Sequence, residues 1–413
     1  MKLILLTAVI TFFCVSAEKV RYDNHAVYRF TPNNENELKI LQTLQKLNKY
    51  NFWTEPRRSG LPVDVMVPPE SKDDIENLIS EHQLTFKIMM EDVQKQIEEE
   101  KLLNAKKSKY FDWESYHTLD EIYDWLKDLA ARFPKEVTLV KGGTTYEGRD
   151  ILGVKVSYSP DNANKTVWID SLIHAREWIA GATSTYILNK VLTSTDRFIR
   201  KMAESHDWYF FPVINPDGYE YTHTTDRLWR KTRKPYSICI GTDPNRNWGY
   251  KWNEDGGSSD NPCADDYAGP NAFSEVETST LSQFMSGVAK DIMLFYTFHS
   301  YSQLILLPYG HTTEHLDNYD DAYQVAMEAA SSLEEVHGTQ YTVGNIAETI
   351  YVATGSNMDW LKANYHVPYA YAYELRDTGN YGFLLPADQI IPTGEETLDS
   401  IMTALVEIEN VIE

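Results

Sequence analysis

Val167-Trp-Ile-Asp-Ser-Leu-Ile173, followed at once by His174-Ala-Arg-Glu177, is the stretch on which the fold turns. An apolar run of this length, bounded by polar segments, suits a strand covered on both faces, as in the middle of a mixed α/β sheet. An imidazole and a carboxylate three residues apart then stand at its carboxyl end, where open α/β sheets collect ligands. Positions i and i+3 of a tight turn or first helical turn share one face, so both side chains could reach one ion. The spacing alone is common; its meaning depends on what else the chain brings there.

Working outward, residues 138–141, 151–158, 208–213, 292–298 and 369–373 read as further strands alternating with long helices. Thr118 with Glu121, Ser274 with Glu277, and Thr393 with Glu396 read as helix-initiating capping pairs. The expected fold is α/β, a mixed open sheet flanked by helices. His299 and Glu374 fall at the ends of two of these strands. His174, Glu177 and His299 then form a two-histidine, one-carboxylate set, the composition of a catalytic zinc site with an open position. Glu374 could move a proton beside such an ion, or instead pair with nearby Arg376. Arg176, Arg230 and Arg246 stand in short polar segments, and guanidinium forks suit a carboxylate or a developing oxyanion.

The 413 residues, 42% hydrophobic and 13% aromatic, suffice for a large core and about two domains. A net charge of -23 with no basic stripe argues against nucleic acid and anionic membranes as partners. Lys2, an apolar run to Val15 and the small residues Ser16 and Ala17 read as a signal peptide, residues 1–17, too short to span a membrane. The expected product is soluble and exported. Cys14 leaves with the signal, so Cys239 and Cys263 read as one disulfide in an oxidising compartment. Asn164-Lys-Thr166 is a glycosylation sequon. Residues 18–109 alternate short strands (27–31, 63–67, 86–90) with helices (36–49, 71–81, 92–105), a small α+β domain ending in a basic, protease-accessible linker at 106–109.

Seven ordered strings carry a family resemblance: His174-Ala-Arg-Glu-Trp178, Asn215-Pro-Asp-Gly-Tyr219, Arg227-Leu-Trp-Arg-Lys231, Asn245-Arg-Asn-Trp248, Phe298-His-Ser-Tyr-Ser302, Ile350-Tyr351 and Glu374-Leu-Arg-Asp377. The chain resembles a zinc metallocarboxypeptidase of the carboxypeptidase A/B family, a secreted proenzyme, from the pro-segment through the C-terminal helix. The resemblance implies one Zn2+ on His174, Glu177 and His299, with Glu374 as general base and acid toward a water activated there. It implies that Arg230 stabilises the oxyanion, that Asn245 and Arg246 grip the substrate's terminal carboxylate, and that Tyr351 closes over it. Arg176 and Tyr301 would contact substrate farther out. Cys239–Cys263 matches the family disulfide. Residues 18–109 become an inhibitory pro-domain of ferredoxin-like type with its connecting helix, removed by a trypsin-like protease near Lys109, and residues 110–413 the catalytic domain, expected to be monomeric.

The residue at the family's pocket-floor position is Met358, with Ile346, Ala353, Gly310 and Ala372 around it and no charge among them. Enzymes that remove basic residues usually carry an aspartate at the floor, so the resemblance implies apolar C-terminal residues, aliphatic or aromatic. Asp359 is present in the family whatever the preference. The alternatives are a B-type enzyme removing Lys or Arg, a catalytically silent peptide-binding protein, and an intracellular processing enzyme; the last is disfavoured by the signal segment and pro-domain.

Overall fold

A computed structural model of the chain describes residues 19–47, 49–56, 58–105, 110–159, 165–254 and 256–412. The segment read as a signal, the basic linker at 106–109 and Asn164 of the sequon lie outside the described residues.

The N-terminal unit runs β1 (Ala26–Phe30), α1 (Glu35–Lys46), β2 (Asn51–Phe52), β3 (Val63–Val67), α2 (Lys72–His82), β4 (Phe86–Met90) and α3 (Val93–Asn104). Its strands pair antiparallel in the order β2-β3-β1-β4, the ferredoxin-like arrangement expected. Strand β3, Val-Asp-Val-Met-Val, is buried at every position, although alternation usually leaves one face wet. The reason is that both faces are covered. Val63, Val65 and Val67 pack into the domain's own core with Leu41 of α1 and Ile75 of α2. Met66 packs with Leu228, Tyr301 and Phe383 of the larger unit, and Asp64 turns the same way.

The larger unit runs α4 (Leu119–Arg132), β5 (Val137–Thr144), β6 (Asp150–Val156), β7 (Thr166–Ser171), α5 (Trp178–Thr193), α6 (Arg197–Ser205), β8 (Asp207–Phe211) and α7 (Pro216–Thr224). The hairpin β9 (Pro235–Tyr236) and β10 (Cys239–Ile240) follows, then α8 (Val276–Val288), β11 (Ile292–Ser300), β12 (Leu304–Leu307) and α9 (Tyr319–His337). The chain closes with β13 (Thr342–Asn345), α10 (Ile346–Thr349), α11 (Asn357–Tyr365), β14 (Tyr369–Leu375) and α12 (Ile390–Ile412). Eight strands form one sheet in the order β13-β12-β14-β11-β7-β8-β6-β5. Its centre, β14-β11-β7-β8, is parallel, while β6, β5 and the β12–β14 pairing are antiparallel, which makes the sheet mixed. Strand β7 shows why both faces are buried: Val167 and Ile169 enter the cluster with α5, α9 and α12, while Trp168 enters the one with α8 and α11.

Thr118 and Glu121 form the expected capping box on α4. The other two pairs do not cap. Helix α8 starts at Val276 with no side-chain cap, because the Ser274 hydroxyl takes Asn247 Nδ2 instead, and Glu277 accepts from the backbone N–H of Tyr146. Helix α12 starts at Ile390, so Thr393 lies within it and donates back to the Gln389 carbonyl, while Glu396 pairs with Arg376. Strands β12 and β13 are additions to the sequence reading. Cys239 and Cys263 are joined, with Cα atoms 5.2 Å apart, tying the hairpin to the loop before α8.

Candidate active site

Three neighbouring parallel strands deliver the site's groups at their carboxyl ends. After β7, Leu172 adopts a left-handed backbone at φ 55, a conformation a leucine holds only under constraint. It turns the chain so that His174 faces inward. A Cβ on Gly181 would stand 2.4 Å from the Leu172 side chain, so the glycine makes room for that turn. Glu177 then stands at the N-cap position of α5 without capping it, its carboxylate turned to the two histidines. His299 is the penultimate residue of β11 and lies in register beside Glu374 of β14.

The expected ligand atoms converge. His174 Nδ1 is 2.8 Å from Glu177 Oε1, and His299 Nδ1 is 3.1 Å from both Glu177 Oε2 and His174 Nδ1. All three residues are buried and offer ligand atoms within 4.8 Å of one another. Two imidazole nitrogens facing each other in a buried site suit a shared cation. The spacings approach the ~3.3 Å edge of a tetrahedron with bonds of about 2.05 Å, so the donor set fits zinc. Asp243 accepts from His174 Nε2 at 3.1 Å, which leaves the Nδ1 lone pair for an ion. Burial would raise the Glu177 carboxyl, but the two imidazoles outweigh it and hold the group well below the usual range. Burial pushes the Glu374 carboxyl up to about 8, and the neighbouring Glu177 charge adds to this against the pull of His299. A bound dication would draw it back down.

Around this centre Arg230 donates to Asp243 Oδ2 at 2.8 Å and lies 3.7 Å from Glu177. The Asn245 backbone N–H donates to Asp243, and its side-chain oxygen accepts from the N–H of Asn357. Arg246, 4% exposed, donates to its neighbour's carbonyl and to the Tyr351 hydroxyl at 3.2 Å. No carboxylate salt-bridges it among the described residues, although Glu55 and Asp243 both act on it. Arg376 pairs with Glu396 and Thr339, which removes it as the partner of Glu374. Arg176, 2% exposed, stacks 4.2 Å from the centre of the Phe383 ring and lies 3.5 Å from Asp265.

His174, Glu177, His299, Glu374, Arg176, Arg230, Asn245, Arg246 and Tyr351 line one cavity of about 920 Å³, together with an apolar wall of Leu304, Leu306, Gly310, Ile346, Ala353 and Ala372. Met358 is 1% exposed and packs behind that wall with Ile346, Ala353 and Ala372 rather than facing the cavity. Asp359 does not line the cavity; its Oδ2 accepts from the N–H of Gly310 at 2.8 Å, and its Oδ1 is buried without a hydrogen-bond partner among the described residues. The cavity's roof is the N-terminal unit, which contributes Arg29, Gln45, Lys46, residues 49–55, Leu61 and Pro62. Tyr301 reaches that roof: its hydroxyl donates to Asp64 at 2.6 Å, and Arg29 forks onto the same carboxylate. Below, Glu100 of α3 forms a buried, two-bond pair with Arg227. Asp243, Asp64 and Glu100 escaped the sequence reading. The available signals were an aspartate two residues before Asn245 and an aspartate inside an apolar strand.

Residues 122–400 match the zinc carboxypeptidase family, and residues 28–100 match the carboxypeptidase activation peptide. A zinc carboxypeptidase A 1 of Anopheles gambiae is 45% identical over 95% of this chain and 91% of its own length. A zinc carboxypeptidase of Simulium vittatum is 56% identical over 71% of this chain and 96% of its own. The crystal structure of the carboxypeptidase A from Helicoverpa armigera superposes with a TM-score of 0.85 at 30% identity, over 94% of this chain and 98% of that one. The chain belongs to the zinc carboxypeptidase family. It is a member carrying an activation peptide, a zymogen, and several of its relatives bear A-type names.

Proposed function

We propose that the chain is an exported, monomeric A-type carboxypeptidase that releases apolar C-terminal residues once its pro-domain is cut away. Residues 1–17 act as signal, 18–109 as inhibitory pro-domain and 110–413 as catalytic domain, with a trypsin-like enzyme cutting within 106–109. The observation that carries the apolar preference is the uncharged wall of Leu304, Leu306, Gly310, Ile346, Ala353 and Ala372 beside Arg246, with the Asp359 carboxylate engaged elsewhere.

His174, Glu177 and His299 would hold the zinc. When bound, that ion supplies a Lewis acid able to acidify water and polarise a carbonyl. The rest is the work of this chain's residues. Asn245 and Arg246 take the terminal carboxylate, with Tyr351 over it. An internal peptide would leave Arg246 buried without that counter-charge, which favours a free chain end. Arg230 stands where charge develops on the scissile oxygen. Glu374 accepts the proton of the attacking water at its carboxylate and later hands it to the leaving amine. The docked roof over the cavity supports latency, since Tyr301 is held by Asp64 and cannot meet a substrate.

The test is a C-terminal residue profile of the trypsin-treated protein. Peptides ending in Phe or Leu are expected to be cut faster than those ending in Lys or Arg. The reverse order would assign the pocket to basic ends.

A further inference from the structure

The cavity has a second acidic feature that the proposed chemistry does not use. Among the described residues of the larger unit, four carboxylates line it: Glu177 and Glu374 at the centre, and Asp265 and Asp266 on the outer wall beyond Arg176. Asp265 is held in place from behind. The loop that carries it is tied by the Cys239–Cys263 bridge, and buried Lys231 donates to the carbonyls of Pro262 and Ala264 at 2.8 and 3.0 Å. The side chain itself is 43% exposed, whereas Arg176 beside it is 2% exposed, already faced by Asp265 and stacked on Phe383. The accessible charge on this wall is therefore negative. In the proenzyme the opposite side is contributed by Lys46, Lys49 and Asn51, and the Asn51 amide donates to Asp265 Oδ2 at 3.3 Å.

Resting on the proposed exopeptidase reading, we infer that Asp265 is a specificity residue for the second substrate residue on the amino side of the scissile bond, favouring a cationic or hydrogen-bond-donating side chain. A substrate anchored by its carboxylate at Arg246, with its scissile carbonyl at the zinc ligands, runs outward past Arg176 and brings that side chain to Asp265. The donor lost when Asn51 departs with the pro-domain is replaced by the substrate's own. A carboxylate there meets Asp265 as a like charge and is disfavoured.

Acylated X-Ala-Phe peptides with X as Lys, Gln, Leu or Glu, given to the trypsin-activated protein, test this. The kcat/KM for Lys is expected to exceed that for Glu about three- to tenfold, the range of a partly exposed ion pair, and to shrink with added salt. Asp265→Asn should bring the ratio close to one, and Asp265→Glu should restore it. A Lys preference that persists unchanged in Asp265→Asn belongs to the general negative field and overturns the assignment, as does equal turnover of all four peptides by the wild type. No cleavage of the Gln or Leu peptide would instead sink the exopeptidase reading, and this inference with it.

Discussion

His174 Nε2 lies 3.1 Å from Asp243 Oδ1, and the other oxygen of that buried carboxylate takes Arg230 at 2.8 Å. One residue thus orients the proposed metal ligand His174 and the proposed oxyanion-stabilising Arg230 together. Carboxylates behind ligating histidines typically carry 10–100-fold of metal affinity. Asp243→Asn is expected to weaken zinc binding by about that factor, read by competition with a chromophoric chelator. It should also lower kcat/KM at saturating zinc, because Arg230 loses its anchor. Unchanged zinc affinity would reduce Asp243 to a packing role.

Glu374 touches none of the proposed ligand contacts that define the ion site, so its chemistry is separable from metal binding. Glu374→Gln is expected to reduce kcat by ~10²–10⁴-fold while one zinc per chain remains bound. Metal analysis beside single-turnover kinetics checks both halves. Substantial residual turnover would remove Glu374 from the proton-transfer role.

Latency should depend on Asp64. The aspartate is 1% exposed; it takes the Tyr301 hydroxyl across the interface and pairs within its own unit with Arg29, which in turn donates across the interface to the Thr378 carbonyl. Removing one partner of a buried ion pair costs about 3–5 kcal/mol. Asp64→Ala should therefore raise the activity of the uncut proenzyme toward a small substrate and hasten its activation by trypsin. Full latency in the variant would mean that these contacts do not hold the roof in place.

Stability should carry a signature from Glu277, whose carboxyl burial pushes up to about 7. Its Oε1 accepts from the N–H of Tyr146, while Oε2 is buried without a partner among the described residues. A carboxyl that binds its proton more tightly folded than unfolded contributes stability that is complete below the unfolded value of about 4.3 and is lost as pH rises through the folded one. Glu277→Gln keeps the acceptor for Tyr146 and removes the charge. It should raise Tm at pH 8, by roughly 1–3 kcal/mol of stability, and change little at pH 4. Equal shifts at both pH values would rule out this titration as the cause.

The centre of the fold was readable because long apolar strands bury both faces: β7, β11 and β14 announce themselves, and His174, His299 and Glu374 follow from their ends. The edge was not. Leu304–Leu307 is a four-residue run whose partners are 38 or more residues away, and nothing local distinguishes such a strand from a buried loop. Thr393 and Glu396 have capping spacing, but Thr393 lies inside the helix and donates to the Gln389 carbonyl one turn back, while Glu396 is taken by its tertiary partner Arg376. Asp243, Asp64 and Glu100 act through His174, Tyr301 and Arg227, 69, 237 and 127 residues away, so local sequence gave at most an aspartate near Asn245 and one inside an apolar strand. The pocket around Met358 followed from resemblance, and the side chain proves to back the wall rather than form it.

The proposed activity is that of a zinc-dependent exopeptidase with an apolar terminal pocket beside Arg246. Its most direct measurement is the rate of C-terminal residue release by the trypsin-activated protein from otherwise identical peptides ending in Phe, Leu, Lys and Arg, with and without a zinc chelator. Release of Phe and Leu is expected at rates well above Lys and Arg, abolished by the chelator and restored by Zn2+. Faster release of the basic residues, or activity indifferent to the chelator, would contradict it.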